Sequence, residues 1–347
     1  MNVPCITIEM CERDLQKRFA PFSPDAQQVR EAMDVMLEEA TSWGKPAVVA
    51  GALRTYARLF IKAPMRQEMK AIAALIGLPY HHLIMANAYW DGVCFLFKTS
   101  DPLADLLDMI RRRVSPVGCT AFAYNTPEGP VHARNMDWAY VGHIAGLTAV
   151  IEYRARLRKN SFKTVSLPGL SAIISGMKPG CFSVTLNAVT SEEKGLGQPA
   201  GLLIRNVLAE ARSFDEAVRM LTEEPILSDC LLLVTGINNG EMVVIERTPT
   251  QGLIRYPEGD FIVATNGYLK YRGQARGPGG EIQSTSCGRF RRTSELLAGG
   301  LPEEPGDAFD ILNAEGVFMP VTTVQQMVMC PATGFMDARV PEKKGAG

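Results

Sequence analysis

The stretch GCTAFAYNTPEGPVHARNMDW, Gly118 to Trp138, lies about a third of the way along the 347-residue chain. Two β-prone runs, Thr120 to Tyr124 and Val131 to Met136, flank Asn125-Thr-Pro-Glu-Gly-Pro130. That Asn, Pro and Gly cluster is a strong turn signal, so the stretch predicts a hairpin. Cys119 stands behind a glycine at the head of the hairpin, and His132, Arg134 and Asp137 lie on the returning strand. A buried hairpin accounts for these residues. So does a cysteine that becomes a nucleophile only after the chain in front of it is cut.

Working outward, the texture differs on the two sides. From about Ser23 to Arg113 the spacing is helical. Ser23 is a candidate N-cap with Pro24 in the first turn, followed by Val29, Met33, Met36 and Leu37 three and four apart. Further helical runs cover 45–62, 65–76, 82–97 and 102–113, with a break at Gly77-Leu78-Pro79. Arg111-Arg112-Arg113 reads as a solvated helix C-terminus, where cations meet the negative end of the helix dipole. Leu83, Ala86, Trp90, Val93 and Phe97 form an apolar stripe that suits plain core as readily as the wall of a pocket.

After Ser115-Pro116, short β runs dominate: 120–124, 131–136, 146–152, 182–186, 231–235, 242–247 and 261–264. Asn238-Asn239-Gly240 predicts a second hairpin. Two amphipathic helices interrupt, Gly201 to Ala211 and Ser213 to Leu221, the second opened by the capping box Ser213-Phe-Asp-Glu216. Strands, then helices, then strands predict an α+β fold with antiparallel sheet covered by helices. Residues 341–347 read as a frayed tail.

Composition narrows the function. The chain is 46% hydrophobic, with 36 basic against 37 acidic residues and a net charge of −1. No global field favours nucleic acid or an anionic membrane, so a small-molecule partner or another protein is expected. Residues 1–12 lack the basic flank and apolar run of a signal peptide, and no apolar run reaches the roughly 18 residues of a membrane span. A cytoplasmic protein without a transmembrane segment is the expectation. The eight cysteines form no C-x-x-C pair, which in a reducing compartment makes most of them buried hydrophobes. Four histidines, two of them adjacent, make a zinc site improbable; neither metal nor cofactor is expected.

A cysteine nucleophile needs a base or cationic surroundings, because the thiolate is the attacking form. His132 either faces Cys119 across the hairpin or is an ordinary packed strand residue. If the Gly118-Cys119 bond were cut, the free α-amine, with a pKa of about 7.7 to 8, would put nucleophile and base on one residue. Arg134 could then stabilise the thiolate and Asp137 orient the ammonium. Residues three apart point to opposite faces of a regular strand, so this reading requires a bulge or bend near Asn135.

These residues resemble the N-terminal-nucleophile (Ntn) hydrolases, in the branch that contains acid ceramidase and N-acylethanolamine-hydrolysing acid amidase. Bile salt hydrolases and penicillin acyltransferases are more distant members. Cys119-Thr120 followed by His132-Ala-Arg134-Asn135-Met-Asp137 matches that branch's Cys-Thr, turn, H-x-R-N-x-D pattern. Val3 to Met10 with Lys17-Arg18-Phe19, Leu170 to Asn187, Ala264-Thr265-Asn266 and Thr323 to Val328 resemble further islands of the branch.

The resemblance implies a four-layer αββα sandwich of two antiparallel sheets. Residues 1–118 would be a mainly helical segment released as a subunit by autocleavage between Gly118 and Cys119, and residues 119–347 the catalytic segment. It implies that Cys119 attacks the carbonyl of a linear N-acyl amide, a fatty-acyl amide or a related one, through an acyl thioester. Arg134 and Asp137 would hold the nucleophile, and Asn187 and Asn266 would serve the oxyanion. The family arginine falls on Ser286-Cys-Gly-Arg289-Phe-Arg291-Arg292, where Arg289 fits an S-x-x-R pattern and Arg291 an alternative one. The expected partners are the substrate and the chain's own cleaved segment, with a homo-oligomer left open. Leu186-Asn187-Ala188-Val189 departs from the branch's L-N-E-R, which leaves the substrate undetermined. Acyl transfer to an amine and a non-catalytic binding scaffold are the alternatives.

Overall fold

The computed structural model describes residues 3–41, 46–98, 117–138, 145–273 and 284–342. The expected helix over 102–113, with Arg111 to Arg113, lies outside the described residues.

Thirteen described strands form two sheets. They are β1 (Cys5–Glu9), β2 (Val117–Tyr124), β3 (Val131–Trp138), β4 (Ala149–Arg154), β5 (Phe162–Ser166), β6 (Ser175–Lys178), β7 (Phe182–Ala188), β8 (Cys230–Thr235), β9 (Met242–Arg247), β10 (Gly252–Arg255), β11 (Phe261–Ala264), β12 (Thr323–Cys330) and β13 (Phe335–Arg339). The larger sheet runs β1-β4-β5-β6-β7-β8-β9-β10 and the smaller β11-β2-β3-β12-β13. β2 and β11 lie against β7, β8 and β9, so the sheets stack face to face. Helices Ala200–Glu210 and Phe214–Glu223 cover the far side of the larger sheet, and Ser286–Gly299 and Ala308–Leu312 that of the smaller. The result is the four-layer αββα sandwich. One pairing departs from the antiparallel expectation: β1 runs parallel to β4. A parallel pair needs a long crossover, and all the N-terminal helices lie between these two strands in sequence.

Alternation along the β2–β3 hairpin divides its side chains between two layers. Ala121 and Ala123 face the larger sheet, where they pack with Leu231, Leu233 and Val244. Phe122, Tyr124, Val131 and Ala133 face outward onto Leu297, Phe309 and Leu312 of the covering helices. The expected turn at Asn125–Pro130 touches the expected turn at Asn238–Gly240: Gly240 N–H donates to Asn125 Oδ1 (3.0 Å) and Asn239 Nδ2 to the Thr126 carbonyl (2.9 Å). Gly129 has φ +118, and a Cβ there would lie 2.7 Å from the Ile237 carbonyl oxygen, so only glycine fits between the two turns.

The N-terminal segment forms helices Leu15–Phe19, Ala26–Thr41, Pro46–Phe60, Ala63–Ile76, Tyr80–Asn87 and Tyr89–Lys98. Gly77, at φ +72, caps the fourth, at the expected break. Pro24 lies inside a 3-10 turn, Ala20–Asp25, so the next helix starts at Ala26 rather than after Ser23. Ile72, Leu83 and Ile84 share one core with Leu186, Leu203 and Val207 of the segment that follows Gly118. Among the described residues no single helix is long and apolar enough to cross a membrane. Ala63–Ile76 and Tyr80–Asn87 reach that composition only jointly, across a 116° bend.

Candidate active site

Cys119 lies in β2, 1% exposed, with its thiol toward the larger sheet. It stands two residue pairs from Arg134, which is opposite Ala121 in the ladder, so the two side chains share a face. Arg134 Nη2 donates to Cys119 Sγ at 2.9 Å and to the Leu186 carbonyl at 2.7 Å, while Nη1 donates to the Ile174 carbonyl at 2.7 Å. This buried guanidinium donates its hydrogen bonds to carbonyl, hydroxyl and thiol groups.

A second group of residues grips the cysteine's backbone. Cys119 N–H donates to Asn266 Oδ1 (3.0 Å), and Arg289 Nη1 donates to the Cys119 carbonyl (2.6 Å) and to Thr120 Oγ1 (2.9 Å). Arg289 Nη2 donates to Asn266 Oδ1 (2.9 Å), tying the two ends together. Ser286 supports this from the start of the helix: its Oγ accepts Asn266 N–H at 2.9 Å. Burial lowers the pKa of Arg289, opposed by Asp137 and Cys119. Of the three candidate arginines, Arg289 is the one brought to the cysteine. Arg291 and Arg292 are exposed on the same helix, with Arg292 paired to Glu295 at 3.7 Å.

Asp137 is fully buried, but not beside the thiol. The β2–β3 ladder is regular from Val117↔Trp138 to Tyr124↔Val131, and the irregularity lies in β12, between Thr323 and Gln325. The expected bend in β3 is therefore absent, and side-chain parity holds. Arg134 points to the inner face. Asp137 points to the outer face, where Thr323 Oγ1 donates to its Oδ1 (2.6 Å) and Arg289 stands 3.9 Å from its Oδ2. That Oδ2 is buried with no hydrogen-bond partner, one pair from Cys119, opposite Gly118. Burial raises the Asp137 pKa, against Arg289, the Thr323 hydrogen bond and Arg134.

His132 does not approach Cys119. Its two ring nitrogens meet Ser183 Oγ at 2.8 Å and Thr185 Oγ1 at 2.9 Å across the inter-sheet gap. Burial, helped by Arg134, pushes its pKa down to about 3, so it is a neutral pin between sheets. Asn187 and Asn266 lock the ends of β7 and β11 together. Asn187 Nδ2 donates to the Ala264 and Thr265 carbonyls (both 3.0 Å), and Asn266 Nδ2 to the Ala188 carbonyl (2.8 Å). Asn187 Oδ1 is buried without a partner.

A cavity of about 100 Å³ opens onto Cys119 and Arg134, lined by apolar side chains that include Trp90, Trp138, Leu167 and Leu186. Part of its wall comes from the N-terminal segment. Asn87 Oδ1 accepts the N–H groups of Ser171 (2.8 Å) and Ala172 (2.6 Å), and Trp90 Nε1 donates to the Asp229 carbonyl (3.2 Å). Asp91 Oδ1 accepts Ser228 Oγ (2.6 Å) and Ala200 N–H (3.2 Å). Of the apolar stripe, Ala86 and Trp90 line the cavity and Leu83 lies in the core. The Val93 and Phe97 side chains lie outside the described residues. Sequence reasoning missed Asn87, Asp91 and Thr323, and it met Ser286 only as part of the arginine pattern.

The family model described as acyl-coenzyme A:6-aminopenicillanic acid acyl-transferase matches residues 124–321. Acid ceramidase of Balaenoptera acutorostrata scammoni is 28% identical over 240 residues, covering 60% of this chain and 54% of that protein. N-acylethanolamine-hydrolyzing acid amidase of Caenorhabditis elegans is 24% identical over 209 residues, covering 57% and 55%. The chain thus spans about half the length of the curated relatives it matches. A solved structure of the Caenorhabditis elegans N-acylethanolamine-hydrolyzing acid amidase ortholog superposes with a TM-score of 0.52 at 19% identity. That match covers 65% of this chain and 100% of the other, a likeness of fold.

Proposed function

The chain belongs to the acyl-coenzyme A:6-aminopenicillanic acid acyl-transferase family, in the Ntn-hydrolase branch, and on that premise we propose that it is a self-cleaving cysteine amidase acting on linear N-acyl amides. The observation that carries the reading is the convergence on Cys119. Its thiol is held by Arg134 at 2.9 Å, its N–H by Asn266 at 3.0 Å and its carbonyl by Arg289 at 2.6 Å. An inert core thiol needs none of these.

In the intact chain, Cys119 Sγ attacks the Gly118 carbonyl and the acyl group moves from nitrogen to sulfur. Water then hydrolyses this thioester, releasing the Gly118 carboxylate and leaving Cys119 with a free amine and thiol. The orphaned Asp137 Oδ2, opposite Gly118, is an acceptor for the new ammonium. The N-terminal segment stays bound through the shared core as a second subunit. In turnover, the Cys119 thiol gives its proton to the α-amine and attacks the substrate carbonyl. The α-amine hands that proton to the leaving amine, and water hydrolyses the acyl thioester. An α-amine with a pKa of about 7.7 to 8 suits this exchange near neutral pH. Asn187, whose Oδ1 lies unpartnered, and Asn266 border the strand ends where the oxyanion would develop.

Intact-mass spectrometry tests the reading: two fragments split at Gly118-Cys119 and an acyl adduct on the Cys119 fragment are expected. A Cys119→Ala protein that still matures and hydrolyses amides would refute it. Membership of an acyl-transferase family keeps acyl transfer as a second reading; capture of the acyl group by an added amine in preference to water would favour it.

A further inference from the structure

We infer that Trp90 sets the depth of the acyl pocket and confines the substrate to amides of short acyl groups, about four carbons long. This rests on the amidase reading and narrows it. The cavity beside Cys119 measures about 100 Å³. A dry cavity of about 150 Å³ takes one benzene ring, so the space beside the thiol holds roughly four carbons. The lining is mostly apolar around the thiol, with Leu167, Leu186 and Trp138 beside Trp90 among its residues, which suits an alkyl group rather than a polar one.

What makes the depth a fixed property is how Trp90 is held. Its indole N–H donates to the Asp229 carbonyl, and Asp229 is itself anchored, its Oδ1 accepting Ser191 Oγ (2.7 Å) and its Oδ2 accepting Ser191 N–H (3.0 Å). Asn87, three residues before Trp90, accepts two backbone N–H groups, and Asp91, the next residue, accepts Ser228 and Ala200. For the indole to swing aside and admit a longer chain, it would have to give up its N–H bond to the Asp229 carbonyl, while the Asn87 and Asp91 bonds hold the backbone on either side of it in place. Leaving the indole N–H without a partner is costly. Trp90 thus limits length as a fixed wall, and the N-terminal segment, not the nucleophile's own strand, sets specificity.

The test is an acyl series, acetyl, butyryl, hexanoyl and decanoyl amides of one amine, with the matching carboxylates measured by calorimetry on Cys119→Ala protein. In the wild type, kcat/KM should rise about fourfold per methylene up to roughly four carbons and fall at least tenfold by decanoyl. Carboxylate affinity should break at the same length. Trp90→Ala should move both breaks to longer chains, and Trp90→Phe, which keeps bulk and loses the N–H bond, should move them less. Equal turnover of butyryl and decanoyl amides by the wild type, or breaks that Trp90→Ala leaves in place, would overturn the inference. If no amide is hydrolysed but the carboxylate break still shifts with Trp90, the amidase reading fails and the pocket assignment stands.

Discussion

Replacing His132 by glutamine should remove most of the acid sensitivity of the fold, by an amount the structure sets. Burial between Ser183 and Thr185 lowers the His132 pKa from 6.5 to about 3. Because the folded value is depressed, the unfolded chain takes up the proton first. The stabilisation is fully present above pH 6.5 and is lost as pH falls from 6.5 toward 3. At about 1.4 kcal/mol per unit, the loss reaches roughly 2.5 kcal/mol at pH 4.5 and nearly 5 kcal/mol below pH 3. Urea unfolding at pH 7.5 and pH 4.5, in a Cys119→Ala background that stays one chain, measures it. His132→Gln should cost about 1 to 3 kcal/mol at pH 7.5, where Ser183 and Thr185 lose part of their bonding. Its stability should then fall by about 2.5 kcal/mol less than that of the parent between the two pH values. Parallel pH profiles would refute the assignment of His132 as a neutral pin.

Two further substitutions probe the ties between segments and the grip on the nucleophile. Glu68 bridges Arg18 and Arg205 at 3.1 Å each, and Arg205 is 3% exposed and stacked 3.9 Å from the Tyr153 ring. Glu68→Gln leaves a buried guanidinium without its counter-anion and should lower unfolding stability by about 3 kcal/mol; an unchanged urea midpoint would contradict this. Arg289→Lys offers one ammonium where a fork reaches the Cys119 carbonyl, Thr120 and Asn266. Amidase kcat should drop on the order of a hundredfold through misplacement of the nucleophile, with circular dichroism unchanged; wild-type kcat would show that Arg289 is only structural.

How much of this was legible in the sequence depends on range. The β2–β3 hairpin was, because Asn125–Pro130 carries its own turn chemistry and does not need the rest of the chain. β6, with only Ser175 to Lys178, and β10, with Gly252 to Arg255, were not: four residues carry too little periodicity. β3 is buried along its whole length because it lies in the middle of four layers, so burial gives it no polar face to mark its register. Cys119 and Arg134 were found because cross-strand neighbours follow from a hairpin's register. Asn87, Trp90 and Asp91 reach the same cavity from a helix pair that precedes the hairpin, and no local pattern shows which way a helix face will turn.

The side-chain parity that first counted against Arg134 and Asp137 acting together gives each a separate task in the proposed mechanism. A nucleophile that is also a chain terminus has two chemically distinct parts, a thiol and an amine, and a strand presents them to different neighbours. Arg134, on the inner face, reaches the sulfur. Asp137, on the outer face, cannot reach it, but it lies opposite Gly118 and bears on Arg289, which holds the Cys119 carbonyl and, through Asn266, its nitrogen. A bend bringing both side chains to the thiol would leave the backbone side without its carboxylate. In the intact chain that carboxylate keeps one oxygen buried without a hydrogen bond, 3.9 Å from Arg289, an arrangement that costs stability. In the proposed cleaved form the α-ammonium supplies the missing donor, so cutting the chain relieves a strain that the folded precursor carries.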